Sequence, residues 1–124
     1  MVTRSSGNDL SAAPDRALRI WQVLVRTAAN RQTIAYGDLS KVTGILPPRG
    51  MGKYLSLIKD YCSNNNLPPL HVLAVKKSTG RPGAGLVVND FRRDCELVFR
   101  FNWIGLVSPT PADFAETAKK NAEG

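Results

Sequence analysis

Nucleophilic and metal-binding side chains are scarce in this chain. Its 124 residues hold two cysteines, Cys62 and Cys95, and a single histidine, His71. The cysteines show no Cys-x-x-Cys spacing and no neighbouring histidine, which reads as two buried thiols in a reducing compartment. One histidine and two distant cysteines cannot supply the four ligands of a tetrahedral zinc site, so no metal is expected. No Ser/His/Asp set and no carboxylate pair is legible. His71 lies in an apolar run and reads as a structural histidine with its hydrogen bonds satisfied. Gly83-Ala-Gly85 could approach a phosphate, but a lone Gly-x-Gly is ordinary loop sequence. The expectation is a protein with no catalytic residues, no cofactor and no small-molecule substrate.

The charged residues carry more information. Residues 16–81 hold eleven Lys/Arg against two acids, Asp38 and Asp60, a net +9 in a chain whose total is +7. The segments on either side are each at −1. A contiguous basic stretch attracts phosphate backbones and speeds encounter with them, so the expected partner is duplex DNA. A merely solvated basic surface is the bland alternative.

The length fits one domain with its own core. No apolar run reaches the ~18 residues of a membrane span. Residues 1–9 are polar and lack a signal-peptide core. The expected location is the cytoplasm, at the nucleoid if the source is bacterial, with no membrane partner.

Residues 1–13, rich in Ser, Gly and Asn, read as a loose tail before a single domain over 14–124. That domain divides into a core, 14–88, and a C-terminal extension, 89–124. Pro14 suits the first turn of a helix, with Leu18, Trp21, Leu24/Val25 and Ala28 on its buried face. A brief strand over 31–35 leads to a short helix from Tyr36 to about Val42, stopped by Gly44. After the turn Ile45-Leu-Pro-Pro48, a third helix runs from about Arg49 to Cys62. Met51, Tyr54/Leu55, Ile58 and Cys62 face inward, and Arg49 and Lys53 share another face. Gly50 and Gly52 are poor helix residues at its start. They fit either close approach to another backbone or a cramped helix–helix contact. Leu70–Val75 reads as a strand, residues 76–80 as a hairpin turn, and Leu86–Val88 as the returning strand. Asn89 or Asp90 caps a helix over about 91–103, although alternating Phe99, Phe101 and Trp103 also fit a strand. Thr110-Pro-Ala-Asp113 is a helix start leading to about Lys120.

Helix, strand, short helix, turn, helix, strand, basic loop, strand is the order of a helix-turn-helix with a wing. The expected fold class is therefore mainly α with a small β-hairpin: a winged helix-turn-helix with a C-terminal helical extension. The start of the third helix would enter a groove with Arg49, Gly50, Gly52 and Lys53. Lys76, Lys77 and Arg81 at the wing would meet phosphates.

Four short segments sharpen this: Thr33-Ile-Ala-Tyr-Gly-Asp-Leu39, Arg49-Gly-Met-Gly-Lys-Tyr-Leu55, Asn66-Leu-Pro-Pro69 and Ser78-Thr-Gly80. In their order and spacing the chain resembles, over about residues 16–86, the DNA-binding domain of the alkylguanine-DNA alkyltransferases and alkyltransferase-like proteins. The resemblance implies that Arg49 is an arginine finger filling a gap in the base stack. It also implies that Tyr36 presses on the phosphate of the rotated nucleotide; for Tyr36 a packed aromatic at a helix start is the alternative, and for Arg49 a solvated arginine.

The chain departs from that family at its reacting centre. Where the family has Pro-Cys-His-Arg, this sequence reads His71-Val72-Leu73-Ala74. Neither the acceptor cysteine nor its activating histidine is present, and Cys62 precedes Val72 by ten positions. Alkyl transfer is expected to be absent, leaving non-catalytic DNA binding that reads shape or backbone. The segment after Val88 has no counterpart in the resemblance. Its aromatics, Phe91, Phe99, Phe101 and Trp103, would close the core or present a surface to a protein partner. The latter fits a regulatory or adaptor role as the rival function.

Overall fold

The structure is a computed structural model that describes residues 9–82 and 90–123, with the side chains of residues 9–12, Arg49 and residues 121–123 outside that description. Five helices and two short strands are described. They are α1 (Asp9–Ala29), β1 (Ile34–Ala35), α2 (Tyr36–Thr43), α3 (Gly52–Asn64), β2 (Ala74–Val75), α4 (Phe91–Arg100) and α5 (Pro111–Glu123). Short 3-10 turns, Pro48–Met51 and Leu70–Leu73, lead into α3 and β2.

Helix α1 begins five residues ahead of Pro14, not at it, so residues 9–13 are helix rather than tail. A proline this close to a helix start removes only one bond near an end that already lacks partners. The buried stripe is Ala17, Ile20, Trp21, Leu24 and Ala28. Leu18 and Val25 sit at its margin, so the stripe is turned slightly from the sequence reading. It packs on α3, α5, α2 and the Leu70–Leu73 turn. Tyr54, Leu55, Leu57, Ile58 and Cys62 form the inner face of α3, with Met51 buried in the turn before it, as the spacing predicts except that Leu57 is added.

The C-terminal extension completes this core. Trp21 meets Tyr61, Trp103 and Phe114 edge-on at ring-centroid distances of 5.5, 5.5 and 6.1 Å. Such pairs add about 0.5–1.5 kcal/mol each beyond the area they bury. Trp103 is buried, and Phe91, Phe99 and Phe101 pack against the cluster. Helix α4 stops at Arg100, three residues short of the expected end. Beyond it the Trp103 indole N–H donates back to the Val98 carbonyl at 2.8 Å, and no strand forms over 97–103. Helix α5 starts as read from sequence. The Asp113 carboxylate accepts the Thr110 backbone N–H at 2.8 Å, and the Thr110 hydroxyl accepts the Asp113 N–H at 3.3 Å.

The expected strand over 70–75 is mostly a 3-10 turn, with only Ala74 and Val75 extended. Pro68 and Pro69 remove two backbone donors and shape this entry. The two described strands pair in parallel, Ile34 with Ala74 and Ala35 with Val75. They make up the sheet among the described residues. The hairpin's expected return arm, 86–88, and the Gly83-Ala-Gly85 loop lie outside them.

Candidate nucleic-acid interface

The β1–β2 register brings together two residues 40 positions apart in sequence. Ala35 pairs with Val75, so the next residues, Tyr36 and Lys76, leave the same end of the sheet side by side. Strands at this spacing lie about 4.8 Å apart. Tyr36 opens α2, is half-buried and packs against the core. Part of its role is therefore the packed aromatic at a helix start.

Lys76 opens a compact basic turn. The Lys76 N–H donates to the Arg81 carbonyl at 2.8 Å, and the Gly80 N–H donates to the Lys76 carbonyl at 2.7 Å. Gly80 takes φ 68°, a left-handed conformation that suits glycine. The Thr79 hydroxyl accepts the Arg81 N–H at 3.1 Å. Lys76, Lys77 and Arg81 are all exposed on this closed loop. The Arg81 guanidinium stands 5.4 Å over the Phe91 ring, so α4 anchors one end of the basic surface. In the sequence, the only sign of that anchor is Phe91 at the start of a helix after a glycine-rich loop.

The start of α3 is held through α2. Gly44, at φ 76°, ends α2 with its N–H on the Ser40 carbonyl at 2.9 Å. The buried Ser40 hydroxyl donates to the Ile45 carbonyl, and the Arg19 guanidinium donates to the Thr43 carbonyl at 3.1 Å. These bonds fix the turn from α2 into Pro48–Met51, which contacts both α2 and α3. The Leu46–Pro47 peptide is cis. No side chain caps the start of α3, and its first turn carries no acid.

Gly50 and Gly52 lie at this junction. A Cβ built at either would meet no atom within 4 Å, and neither has a positive φ. That removes the cramped helix–helix reading, since no internal contact demands glycine at either place. The Lys53 ammonium, exposed on the first turn of α3, lies 5.2 Å over the Tyr54 ring. The Arg16 guanidinium donates to the Tyr54 hydroxyl at 2.8 Å. A cleft of about 480 Å³ opens beside this group, with Leu57, Asp60 and Ala118 on its walls. Arg49 begins the segment, but its side chain lies outside the description. The eight residues read from sequence therefore fall on two surfaces: the basic turn with Tyr36, and the start of α3. Helix α2 joins them.

Val72 is buried in the Leu70–Leu73 turn. Cys62, buried on α3, packs in the same core as that turn. Burial pushes the Cys62 thiol up to about 12, an effect the Leu70 backbone only partly offsets. Cys95 is also raised by burial, with Asp94 adding to the effect. Neither thiol is an activated nucleophile.

His71 departs from the sequence reading. It is buried, and neither ring nitrogen has a hydrogen-bond partner among the described residues. Desolvation, helped by the Lys59 charge, lowers its pKa to about 4. Among the described residues, no group of three or more His, Cys, Asp or Glu is placed to hold a metal ion. No described helix is long and apolar enough to cross a membrane.

No family model, no curated protein and no solved structure matches this chain.

Proposed function

We propose that this protein binds duplex DNA as an alkyltransferase-like winged helix, using the start of α3 and the basic turn over 76–81, and catalyses no reaction. The observation that carries the reading is the bare backbone at Gly50 and Gly52. Glycine is costly at a helix start, and neither packing nor φ calls for it here. Its remaining use is to let a groove wall or phosphate come close, beside Lys53 and Arg49. The exposed Lys76, Lys77 and Arg81 then contact the backbone and fix orientation. The high thiol pKa of Cys62 and the valine at position 72 support binding without alkyl transfer.

Fluorescence anisotropy with plain and mismatched duplexes, titrated across salt, tests this reading. Neutralising about 3–5 phosphates gives a slope of log K against log salt of about −3 to −4.5. No binding, or a flat salt dependence, would refute it. Arg49→Ala is expected to weaken mismatched duplex more than plain duplex, because a finger gains only where a base has left the stack. Equal losses would make Arg49 an ordinary phosphate contact. Tyr36→Ala is expected to follow the same pattern more weakly, part of its loss being packing.

A further inference from the structure

The cleft beside the start of α3 has room for more than a DNA phosphate. Its volume is about 480 Å³, within the roughly 300–1,000 Å³ of small-molecule sites. Three helices that pack on one another form it. Helix α3 gives it one face, Lys53, Ser56, Leu57 and Asp60, at the spacing that lines residues up along a helix. Helix α1 adds Ala13 and Arg16, and α5 adds Ala118. The two alanines keep the space open, because their side chains end at Cβ.

Charge in the cleft is sorted. The Arg16 guanidinium and the Lys53 ammonium lie 5.9 and 5.2 Å from the centroid of one ring, that of Tyr54. Tyr54 is buried, and its hydroxyl accepts the Arg16 bond at 2.8 Å, which sets the guanidinium at the cleft wall. Lys53 is exposed and makes no ion pair among the described residues. Two cations on one phenol, beside a helix start whose first turn carries no acid, make a concentrated positive end. Asp60 follows Lys53 by seven residues, about 10 Å further along α3, and puts negative charge at the other end. Between them Leu57 offers apolar surface.

The cleft therefore asks three things of an occupant: an anionic group at the Lys53 end, an apolar or planar body beside Leu57, and a hydrogen-bond donor toward Asp60. Inorganic phosphate meets only the first. So does a backbone phosphate of duplex DNA, whose bases are turned inward in the stack. A mononucleotide whose base carries an amino group meets all three. We infer that this cleft binds such a mononucleotide, its phosphate held by Arg16, Lys53 and the Ser56 hydroxyl and its base laid beside Leu57 toward Asp60. Hydrogen bonds from guanidinium and ammonium to phosphate are among the stronger ones available. The site stands without the DNA reading, although Lys53 belongs to both surfaces.

Isothermal titration calorimetry of the full chain with AMP, in the absence of DNA, tests this. A dissociation constant of about 0.01–1 mM is expected. Adenosine and inorganic phosphate are each expected to bind at least about tenfold more weakly than AMP, since each lacks one end of the ligand; the loss of a charged hydrogen bond is of that size. Lys53→Gln and Arg16→Ala are expected to weaken AMP by at least about the same factor. Ala118→Trp keeps every charge and fills the cleft from an exposed position. It is expected to abolish AMP binding with an unchanged melting temperature. Lys76→Ala is expected to weaken duplex binding and leave AMP binding as it is, which separates this site from the DNA reading. No AMP binding in that range, either fragment binding as tightly as AMP, or an Ala118→Trp variant that binds AMP like wild type would overturn the site.

Discussion

His71 makes the protein acid-labile in a defined way. The ring is buried, both nitrogens lack partners among the described residues, and its pKa falls to about 4 from an ordinary 6.5. The folded state therefore holds His71 neutral where the unfolded chain would protonate it. Stability from this group is complete above pH 6.5, is lost as the pH falls toward 4, and levels off below that. At about 1.4 kcal/mol per pH unit, the whole loss is about 3 kcal/mol, a large fraction of a small domain's stability. The perturbation is His71→Leu, which keeps the bulk and removes the titrating group. Urea midpoints for both proteins, measured from pH 7.5 to 4, give the difference directly. Asp94 is raised by burial and by Asp90, so it acts in the opposite sense at lower pH, but it is present in both proteins and cancels. The leucine variant is expected to be at least as stable as wild type at pH 7.5, because no hydrogen bond is broken. It is expected to lead by about 3 kcal/mol near pH 4. Parallel losses in the two proteins would refute the neutral buried histidine. A leucine variant more than about 1 kcal/mol weaker at pH 7.5 would show that the ring does have a partner.

Gly52→Ala is expected to raise stability by up to about 1 kcal/mol, since nothing lies where the methyl would go. The same change is expected to weaken duplex binding, and a variant that binds like wild type would remove the close-approach role of this backbone. Changing Lys76 or Lys77 to alanine is expected to weaken all duplexes alike and reduce the salt slope by about one, read from anisotropy titrations. With the Cys62 thiol at about 12, only about one thiol in ten thousand is ionised at pH 8. Iodoacetamide is therefore expected to leave the native Cys62 unmodified by mass spectrometry and to label it fully in urea. Labelled methylguanine DNA is expected to transfer no label to the protein. Thr110→Ala is expected to cost about 1 kcal/mol of unfolding free energy, because it removes the cap of α5.

Much of the fold is legible where it is decided locally. Gly44 ends α2, Asp90 caps α4, and Thr110 with Asp113 opens α5, each a signal within four residues of its effect. The inner face of α3 follows from its spacing. What is not legible depends on partners distant in sequence. Nothing near Ala74 says that its neighbour is Ile34 in parallel, so this pairing is absent from the sequence reading. Trp103 ends in the core because its indole finds Val98, and an alternating pattern alone does not show this. For the site, the basic turn and the start of α3 are readable as exposed charge and out-of-place glycine. The juxtaposition of Tyr36 with Lys76 is not, because it rests on that same pairing. Nor does the sequence show that His71 lacks hydrogen-bond partners.

The contact of Trp21 with Phe114 sets the order in which the chain can fold. The first helix is made some ninety residues before one cover for its tryptophan. At roughly 5–20 residues per second, the ninety or so residues between them take on the order of 5–20 s to synthesise. During that interval a nascent chain exposes the apolar stripe of α1 with its α5 partner missing. Synthesis of α5, rather than emergence of the basic segment, then becomes the point at which the core closes. A truncated product ending before α5 is a natural client for chaperones and proteases, however complete its DNA-facing residues.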